Sequence, residues 1–280
     1  MATITSTPLS TRRLALLAFA SAAFVAGCGK APEPAKPAAP TPAPAAAASA
    51  PAAAKVYVVG TDAAYAPFES QAPGGEIVGY TVDVLKAVSA KAGIEVKFVN
   101  TPWEGIFKTL DTGERDIVAS SVTITDERKL TMDFSGPYFN ATQLIAVKDG
   151  SKVAKFDDLK TLKVGVQTGT TGDEVVQKLL GKTNVNIKRF ESTPLALKEL
   201  EAGGVAAVVA DNGVVQHYIA NNPAAKFKSV SDASFAPEQY GFAVKKGNTE
   251  LQKKLTDALA AMQADGSLQA MNTKYFGAAK

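Results

Sequence analysis

Two passages of this sequence carry the same succession of structural signals, and this repeat constrains the fold more than any other feature. Each passage begins with a threonine followed by proline, at Thr101-Pro102 and at Thr193-Pro194, which favours the first turn of a helix. In each, glycine ends the predicted helix and a short apolar strand follows, at 116–119 and at 205–210. Because the passages match in order and nearly in length, we predict two related α/β lobes.

Predicted strands and helices alternate through the rest of residues 55–280. The apolar run Val56–Val59 is typical of a strand buried on both faces, as in a parallel sheet covered by helices. The further predicted strands are 94–99, 143–147, 162–166, 185–190 and 240–244, and the predicted helices are 80–92, 103–110, 173–180, 193–202, 212–220, 250–264 and 266–275. This order is typical of α/β proteins with parallel sheets.

We predict that the chain passes between the lobes twice, in residues 138–142 and 236–240. One lobe therefore combines residues 55–137 with 241–280, and the other contains residues 143–235. Two crossings form a hinge with one main degree of freedom. Ligands of such sheets bind beyond the carboxyl ends of the strands, so we expect a site in the cleft between the lobes.

The first 27 residues are predicted to be a signal peptide. Arg12 and Arg13 precede the apolar run 14–27, which is too short to span a bilayer. The small residues before Cys28 resemble the lipobox of bacterial lipoproteins, in which cleavage leaves a lipid-modified cysteine at the new N-terminus. An ordinary signal peptide with a chance cysteine is the alternative, and little of a twin-arginine motif is present beyond the arginine pair. We predict a lipid anchor on Cys28 and a periplasmic, membrane-anchored protein.

Residues 28–54 are predicted to form a tether after the lipidated cysteine. From Ala31 to Ala54 the chain is mostly alanine and proline, and it has no apolar side chain larger than alanine. It therefore cannot form a packed core. Proline-rich chains of this kind are extended and semi-rigid, so the segment would hold a folded domain away from the membrane.

The charge of the chain argues against a nucleic-acid partner. Lys+Arg 30 against Asp+Glu 27 gives a net charge of +3, but the basic excess lies in residues 1–54, with Arg12, Arg13, Lys30 and Lys36 against Glu33. The remainder is neutral and has no basic surplus. With one histidine and one cysteine, we expect no disulfide scaffold, no histidine-built metal site, no histidine-dependent catalytic triad and no cofactor.

Three motifs in loops after predicted strands resemble those of the polar amino-acid solute-binding proteins of bacterial ABC importers (solute-binding protein family 3). They are Tyr65-Ala66-Pro67-Phe68-Glu69, Thr123–Arg128 and Gly169-Thr170-Thr171, and the resemblance covers residues 55–280. Glutamine- and lysine/arginine/ornithine-binding proteins are similar. The resemblance implies a two-lobed α/β periplasmic-binding-protein fold of type II, which closes on one free L-amino acid and delivers it to permease subunits. It implies no enzyme activity, and we expect a monomer.

The resemblance implies that residues of both lobes bind the charged groups of the ligand. Arg128 can direct two N–H groups to the α-carboxylate, assisted by the backbone amides of Thr123 and of Thr171 at a helix N-terminus. Asp211 can pair with the α-ammonium group. The carbonyl of Ser121 and the hydroxyl of Thr123 would be the other acceptors of that ammonium group.

Weaker arguments concern the ligand side chain. Tyr65 and Trp103 are expected to sandwich it, whereas Asp62 and Gln167 would lie toward its far end, with Ser120 nearby. Asp62 favours a cation or an amide over an acidic side chain, and Gln167 offers both a donor and an acceptor. We predict a basic or amide L-amino acid.

One position departs from the family pattern. The family often has Gly-Phe-Asp where this chain has Gly79-Tyr80-Thr81. The missing acid is one that family members for basic amino acids use against the distal ammonium group. Strong lysine-type binding is therefore not expected.

Each assignment has an alternative that involves no ligand. Arg128 could be the cation of a surface turn, Asp211 the cap of the following helix, and Gln167 only the end of a strand. Tyr65 and Trp103 could be core aromatics, and His217 is expected on a helix, away from the ligand. The fold also resembles periplasmic cyclohexadienyl-type dehydratases, which need a free general acid in the cleft, for which Asp62 and Asp211 are the candidates.

Overall fold

Strands and helices alternate along residues 55–277, the part of the chain that this computed structural model describes; the predicted signal peptide, Cys28 and the tether lie outside it. The strands are β1 (Val56–Thr61), β2 (Ala64–Tyr65), β3 (Glu69–Gln71), β4 (Ile77–Val78), β5 (Glu95–Asn100), β6 (Ile117–Val118), β7 (Met132–Phe134), β8 (Phe139–Ala141), β9 (Gln143–Lys148), β10 (Val164–Gln167), β11 (Ile187–Phe190), β12 (Ala207–Asp211), β13 (Phe227–Val230), β14 (Glu238–Tyr240) and β15 (Ala243–Lys245). The α-helices are α1 (Tyr80–Ala92), α2 (Lys108–Thr112), α3 (Asp126–Thr131), α4 (Thr171–Leu180), α5 (Thr193–Ala202), α6 (Asn212–Asn221), α7 (Thr249–Ala264) and α8 (Ser267–Phe276). Short 3₁₀ helices cover Phe156–Thr161 and Pro223–Ala225. Within residues 55–277, no helix combines the length and the apolar character that crossing a bilayer requires.

The first five-stranded sheet has the order β5–β1–β6–β15–β7. Strand β1 is parallel to both of its neighbours, whereas β15 is antiparallel to β6 and to β7. Helix α1 buries Val84, Leu85 and Val88 in a core that it shares with Leu255 and Leu259 of α7. Leu268 of α8 belongs to the same core, so the last two helices of the chain pack in the lobe that begins with β1.

The second five-stranded sheet has the order β11–β10–β12–β9–β13. Its first three strands are parallel, and β9 is antiparallel to both β12 and β13. Side chains alternate between the two faces of β9, so Leu144 packs with Leu197 of α5 while Ile145 packs with Val176 of α4. Helices therefore cover both faces of this sheet, which explains why its three central strands, β10, β12 and β9, are mostly buried and apolar.

Two antiparallel strands, β8 and β14, connect the sheets, and Phe139 pairs with Tyr240 between them. The chain leaves the first sheet through β8 and returns to it through β14. The Phe139 and Tyr240 rings stack at 5.4 Å, and Tyr138 stacks on Phe242 at 4.5 Å. The predicted α/β fold with two sheet-containing lobes is confirmed.

The predicted single strand 240–244 is wrong, because these residues contribute to two different sheets. Tyr240 ends β14 in the connecting pair, and Ala243 begins β15 in the first sheet. Between them, Gly241 lies so close to Ile124 that a Cβ atom would come within 2.8 Å of the Ile124 Cδ1 atom. The chain changes sheets at a position where a larger residue would require the Ile124 side chain to move.

The predicted helix 103–110 is also wrong in its bounds. Residues 103–107 form turns, and the regular helix α2 covers only Lys108–Thr112. Gly105 has φ of +83°, which lies outside the right-handed helical region. The matching passage of the second lobe forms the full helix α5, so the repeat in the sequence is only partly a repeat in the structure.

Candidate functional site

One cavity with an empty volume of about 330 Å³ lies where loops of the two lobes meet. Most of its lining follows β1 and β6 of the first sheet and β10 and β12 of the second, at the carboxyl ends of these strands. Every predicted ligand-binding residue lines the cavity, together with Thr170; these residues are Asp62, Tyr65, Trp103, Ser120, Ser121, Thr123, Arg128, Gln167, Thr171 and Asp211. Cys28, the predicted lipid anchor, lies outside the described residues.

Arg128 supplies a positive charge at the wall that the first lobe contributes. It lies in the first turn of α3, where its backbone N–H donates to the hydroxyl of the capping Thr125 at 3.1 Å. Its guanidinium group donates to the Thr123 carbonyl at 3.0 Å and, across the cleft, to the Gly169 carbonyl at 3.3 Å. Burial lowers the pKa of Arg128, but an arginine remains charged at neutral pH. At 9% exposure it is not the cation of a surface turn.

Asp211 supplies a negative charge at the wall that the second lobe contributes. It ends β12 and is buried, and its two oxygens accept from the Gln143 amide and from the Tyr240 hydroxyl. Asp211 occupies the N-cap position of α6, but its carboxylate makes no capping hydrogen bond to that helix. Burial, reinforced by the negative charge of Glu238, raises the pKa of Asp211 to about 6. A cation bound beside it would favour its ionised form.

Glu238 is a residue of the site that sequence reasoning missed. The sequence predicts a hinge at 236–240 but assigns no role to this acid. In the structure its carboxylate accepts from the Thr123 hydroxyl at 2.7 Å, the Thr171 hydroxyl at 2.8 Å and the Gln143 amide at 2.9 Å. The available signal was an acidic side chain within a crossing segment, which must border the cleft.

Asp62 and Gln167 form a polar contact across the cleft. The Gln167 amide donates to the Asp62 carboxylate at 3.2 Å and to the Glu191 carbonyl at 3.0 Å, and it accepts from the Thr193 hydroxyl at 3.0 Å. Gln167 is therefore more than the end of a strand. Burial raises the pKa of Asp62. These two side chains offer acceptor oxygens to a ligand group that carries N–H donors.

Two aromatic side chains line the cavity and also pack on the protein core. Trp103 is half-buried and meets Phe107 edge to face, with 5.1 Å between ring centroids. The guanidinium carbon of Arg128 lies 5.5 Å from the Trp103 ring. Tyr65 is half-buried and stacks on Phe68 at 6.2 Å. Core packing and a contact with a ligand are thus compatible for both residues.

The N-terminus of helix α4 lies at the cavity. The Thr170 hydroxyl accepts from the Asp173 backbone N–H at 3.2 Å and donates to the Gln167 carbonyl at 2.9 Å. Because Thr170 is the cap, the helix begins at Thr171, two residues before the predicted start. Helix N-termini attract anions, so this end of the cavity suits a carboxylate.

The loop after β6 is held in an unusual backbone conformation. Ser121 has φ of +49°, a left-handed conformation that is uncommon for residues other than glycine. Its hydroxyl donates to the Glu69 carboxylate at 3.1 Å, and the Ser120 hydroxyl accepts from the Asp62 backbone N–H at 3.0 Å. Such conformations persist where surrounding contacts determine them, and here they place the loop at the cavity wall.

Glu69 and Thr81 are fully buried behind Ser121. Burial raises the pKa of Glu69 well above its usual range. The Thr81 hydroxyl lies 3.4 Å from the Ser121 hydroxyl and 3.2 Å from the Tyr138 hydroxyl. Thr81, the position that departs from the family pattern, therefore supports the wall, and it is not among the residues that line the cavity.

Contacts across the cleft show that the two lobes are closed on each other. Arg128 reaches Gly169, and Gln167 reaches Asp62. His217 lies on α6 and is not among the residues that line this cavity. Residues 55–277 hold no group of three or more histidine, cysteine and acidic side chains arranged to bind a metal ion.

A family model and a curated relative match most of the chain. The model of the bacterial extracellular solute-binding proteins, family 3, matches residues 57–278. A probable histidine-binding protein of Neisseria gonorrhoeae is 47% identical over 223 residues, which cover 79% of this chain and 83% of that protein. The similarity thus spans both lobes.

Two solved structures share the fold over a similar range. The arginine-, lysine-, histidine-binding protein ArtJ from Geobacillus stearothermophilus superposes with a TM-score of 0.78 and 45% identity, covering 81% of this chain and 97% of that chain. An ancestral amino acid-binding protein, a precursor of cyclohexadienyl dehydratase, gives a TM-score of 0.71 and 37% identity, covering 79% and 95% of the two chains.

Proposed function

The chain belongs to the bacterial extracellular solute-binding proteins of family 3, and on that premise we propose that it captures a free L-amino acid and presents it to the permease of an ABC importer. The family resemblance carried by the three sequence motifs is confirmed. The related proteins named above include amino-acid-binding proteins, and the proposal for this chain is likewise binding without catalysis.

One observation carries the proposal: buried opposite charges from different lobes line the same cavity. Arg128 comes from the first lobe and Asp211 from the second. A free α-amino acid is a zwitterion, so its carboxylate suits the guanidinium group and its ammonium group suits the acid. The N-terminus of α4 adds a second attraction for the carboxylate.

The acids around the cavity favour a basic or amide side chain on the ligand. Asp62 and Asp211 line the cavity and Glu238 lies behind it, so an acidic ligand side chain would meet like charges. Tyr65 and Trp103 supply ring faces that suit a guanidinium or an imidazole group. We infer a ligand of the histidine, arginine or glutamine class, and the buried Thr81 in place of an acid makes lysine the weakest of the basic candidates.

Lobe closure is the proposed means of capture. A ligand that contacts both lobes stabilises the closed form more than the open form. Conversion of a mostly open population into a mostly closed one requires about 5.5 kcal/mol of differential binding. A buried bidentate carboxylate contact, an ammonium–carboxylate pair and aromatic contacts can together supply this amount. The closed form is then the one that the permease recognises.

Membrane anchoring through Cys28 is part of the proposal. The short apolar run that ends in small residues before Cys28 supports it, and the alanine- and proline-rich tether would keep the lobes near the permease. We expect Cys28→Ser to release the protein from membranes into the soluble fraction. Continued partition of that variant into the detergent phase would contradict the anchor.

A ligand screen tests the proposed function. We expect thermal-shift measurements with the twenty L-amino acids to show stabilisation by histidine, arginine or glutamine and none by aspartate or glutamate. Calorimetric titration should then give micromolar or tighter binding without any turnover. If no amino acid stabilises the protein, or if the protein consumes a prephenate-like acid, the binding function is wrong and the dehydratase alternative gains.

A further inference from the structure

We propose that Glu238 is a positioning residue that makes the hydroxyl groups of Thr123 and Thr171 act only as acceptors toward the ligand, and so selects ligands that carry an α-ammonium group. This inference rests on the proposed amino-acid-binding function and adds a residue from the hinge to it. Glu238 lies on β14 and is half-buried. It does not line the cavity itself, so it acts through the two threonines.

The geometry places one carboxylate oxygen between the two lobes. Oε2 of Glu238 accepts from the Thr123 hydroxyl at 2.7 Å and from the Thr171 hydroxyl at 2.8 Å. Thr123 follows β6 of the first sheet, and Thr171 begins α4 beside the second. Both threonines are buried and both line the cavity. Glu238 therefore contacts the cavity-lining residues of both lobes from behind.

The number of protons on each hydroxyl group limits the hydrogen bonds that it can donate to a ligand. A threonine hydroxyl has one proton to donate and two lone pairs that accept. A carboxylate can only accept, so each threonine uses its single proton on Glu238. The Thr171 hydroxyl oxygen also lies 3.2 Å from the Gln143 amide nitrogen, whose two N–H groups are directed at Asp211 and Glu238. What remains toward the cavity is lone pairs, which attract N–H donors and repel a carboxylate.

The neighbouring groups have the same polarity. The Gln143 amide donates to both Asp211 and Glu238, so its N–H groups are directed at these acids. Asp211 presents carboxylate oxygens at the same end of the cavity. These side chains are thus acceptors, whereas the neighbouring Arg128 guanidinium, which donates to the Thr123 carbonyl, supplies donors. An amino acid is therefore expected to bind with its ammonium group toward these acceptors. An analogue without the α-amine would leave the acceptors without hydrogen-bond donors.

The test compares an amino acid with its analogue without the α-amine. The ligand is whichever of L-histidine and L-arginine the wild-type protein binds more tightly, and the analogue is imidazolepropanoate or 5-guanidinopentanoate. The Glu238→Gln variant can donate an N–H to one threonine and free that hydroxyl proton. We expect the preference for the amino acid over the analogue to fall at least about tenfold, mostly through weaker amino-acid binding.

Glu174→Gln is the matched control. Glu174 lies on α4 and its charge acts on Arg128, but it does not accept from either threonine. This variant removes the same charge near the cavity, so we expect its preference ratio to stay within about twofold of wild type. If Glu174→Gln lowers the ratio as much as Glu238→Gln does, the effect is one of net charge and the inference is wrong.

Thr123→Val keeps the inference testable if the Glu238→Gln variant does not fold. It removes the hydroxyl that Glu238 orients, so it should lower the same ratio; an unchanged ratio would contradict the inference. Where both variants fold, the loss in the double variant should be smaller than the sum of the single losses, because the two residues act through one hydrogen bond.

A wild-type protein that binds no amino acid overturns both the proposed function and this inference. A wild type that binds, with an unchanged ratio in Glu238→Gln, overturns this inference alone.

Discussion

The loops of the first lobe bring a guanidinium group and two aromatic rings to the cavity, whereas those of the second lobe bring a carboxylate, an amide and a helix N-terminus. The closest partners of each charge are neutral. Arg128 donates to carbonyl groups, and Asp211 accepts from an amide and a hydroxyl. The buried cation of the site thus comes from the first lobe and the buried carboxylate of Asp211 from the second.

The difference between the lobes explains why capture and closure are one event. A ligand bound to the first lobe alone would satisfy its carboxylate but leave its ammonium group without Asp211. Full pairing requires both lobes, and the energy of that pairing is available only in the closed form. Three variants test this division of roles, from the largest expected effect to the smallest.

Removal of the first lobe's charge should have the largest effect. We expect Arg128→Ala to weaken amino-acid binding at least about 100-fold, because truncation of one partner of a buried charge pair costs about 2–5 kcal/mol. Calorimetric titration measures the loss. Arg115→Ala is the control, since Arg115 belongs to the same lobe but is not among the residues that line the cavity. Equal affinities of wild type and Arg128→Ala would exclude the assigned carboxylate site.

Removal of the second lobe's charge should have a smaller effect that depends on pH. Asp211 has a pKa of about 6 without ligand, and an ammonium ligand favours its ionised form, so binding releases a proton below about pH 6. Affinity should fall up to about tenfold per pH unit below that pH and level off above about pH 7. We expect Asp211→Asn to bind about 10–100-fold more weakly at neutral pH and to lose most of this dependence.

The pH experiment needs a ligand of constant charge, such as L-arginine or L-glutamine, because the imidazole of histidine titrates in the same range. A wild-type affinity that rises on acidification would have the wrong sign for this account. An Asp211→Asn variant whose affinity depends on pH as strongly as that of the wild type would also contradict the account, since the titrating group would then lie elsewhere.

The aromatic contribution of the first lobe should have the smallest effect. We expect Trp103→Ala to weaken a cationic ligand by about 0.5–2 kcal/mol and glutamine by less, because only the cation interacts strongly with the ring face. Phe107→Ala is the matched control, since Phe107 also lies beside Arg128, at 5.3 Å, but does not line the cavity. Equal losses for cationic and amide ligands in Trp103→Ala would assign that ring to core packing.

The cavity residues could be predicted from sequence because the topology places them together. Asp62, Ser120, Gln167 and Asp211 each lie at the carboxyl end of a predicted strand or just beyond it, and parallel strands end at the same edge of a sheet. The family motifs then added Tyr65 and the neighbours of these residues. Strand order and loop position placed the four strand-end residues, even though the exact ends of several elements differ.

The sequence could place Glu238 beside the cleft but could not predict its role, because that role depends on residues far away in the sequence. Its partners Thr123 and Thr171 are brought to it only when β14 pairs with β8 between the lobes.

Helix α2 of the first lobe is shorter than predicted because of a local sequence difference between the two repeated passages. Gly105 interrupts the helix after Thr101-Pro102, whereas the passage from Thr193-Pro194 has Leu197 at the corresponding position. Trp103 and Phe107 then lie on turns beside Arg128 instead of on a helix surface. The two passages differ where one of them contributes to the site.

A crystal structure of the protein with its best-binding amino acid tests most directly whether residues of both lobes bind the ligand. We predict that the ligand carboxylate contacts the Arg128 guanidinium group and the N-terminus of α4, and that the ligand ammonium group contacts Asp211 and the Thr123 hydroxyl. A ligand held by one lobe alone, or one that touches neither Arg128 nor Asp211, would contradict the account.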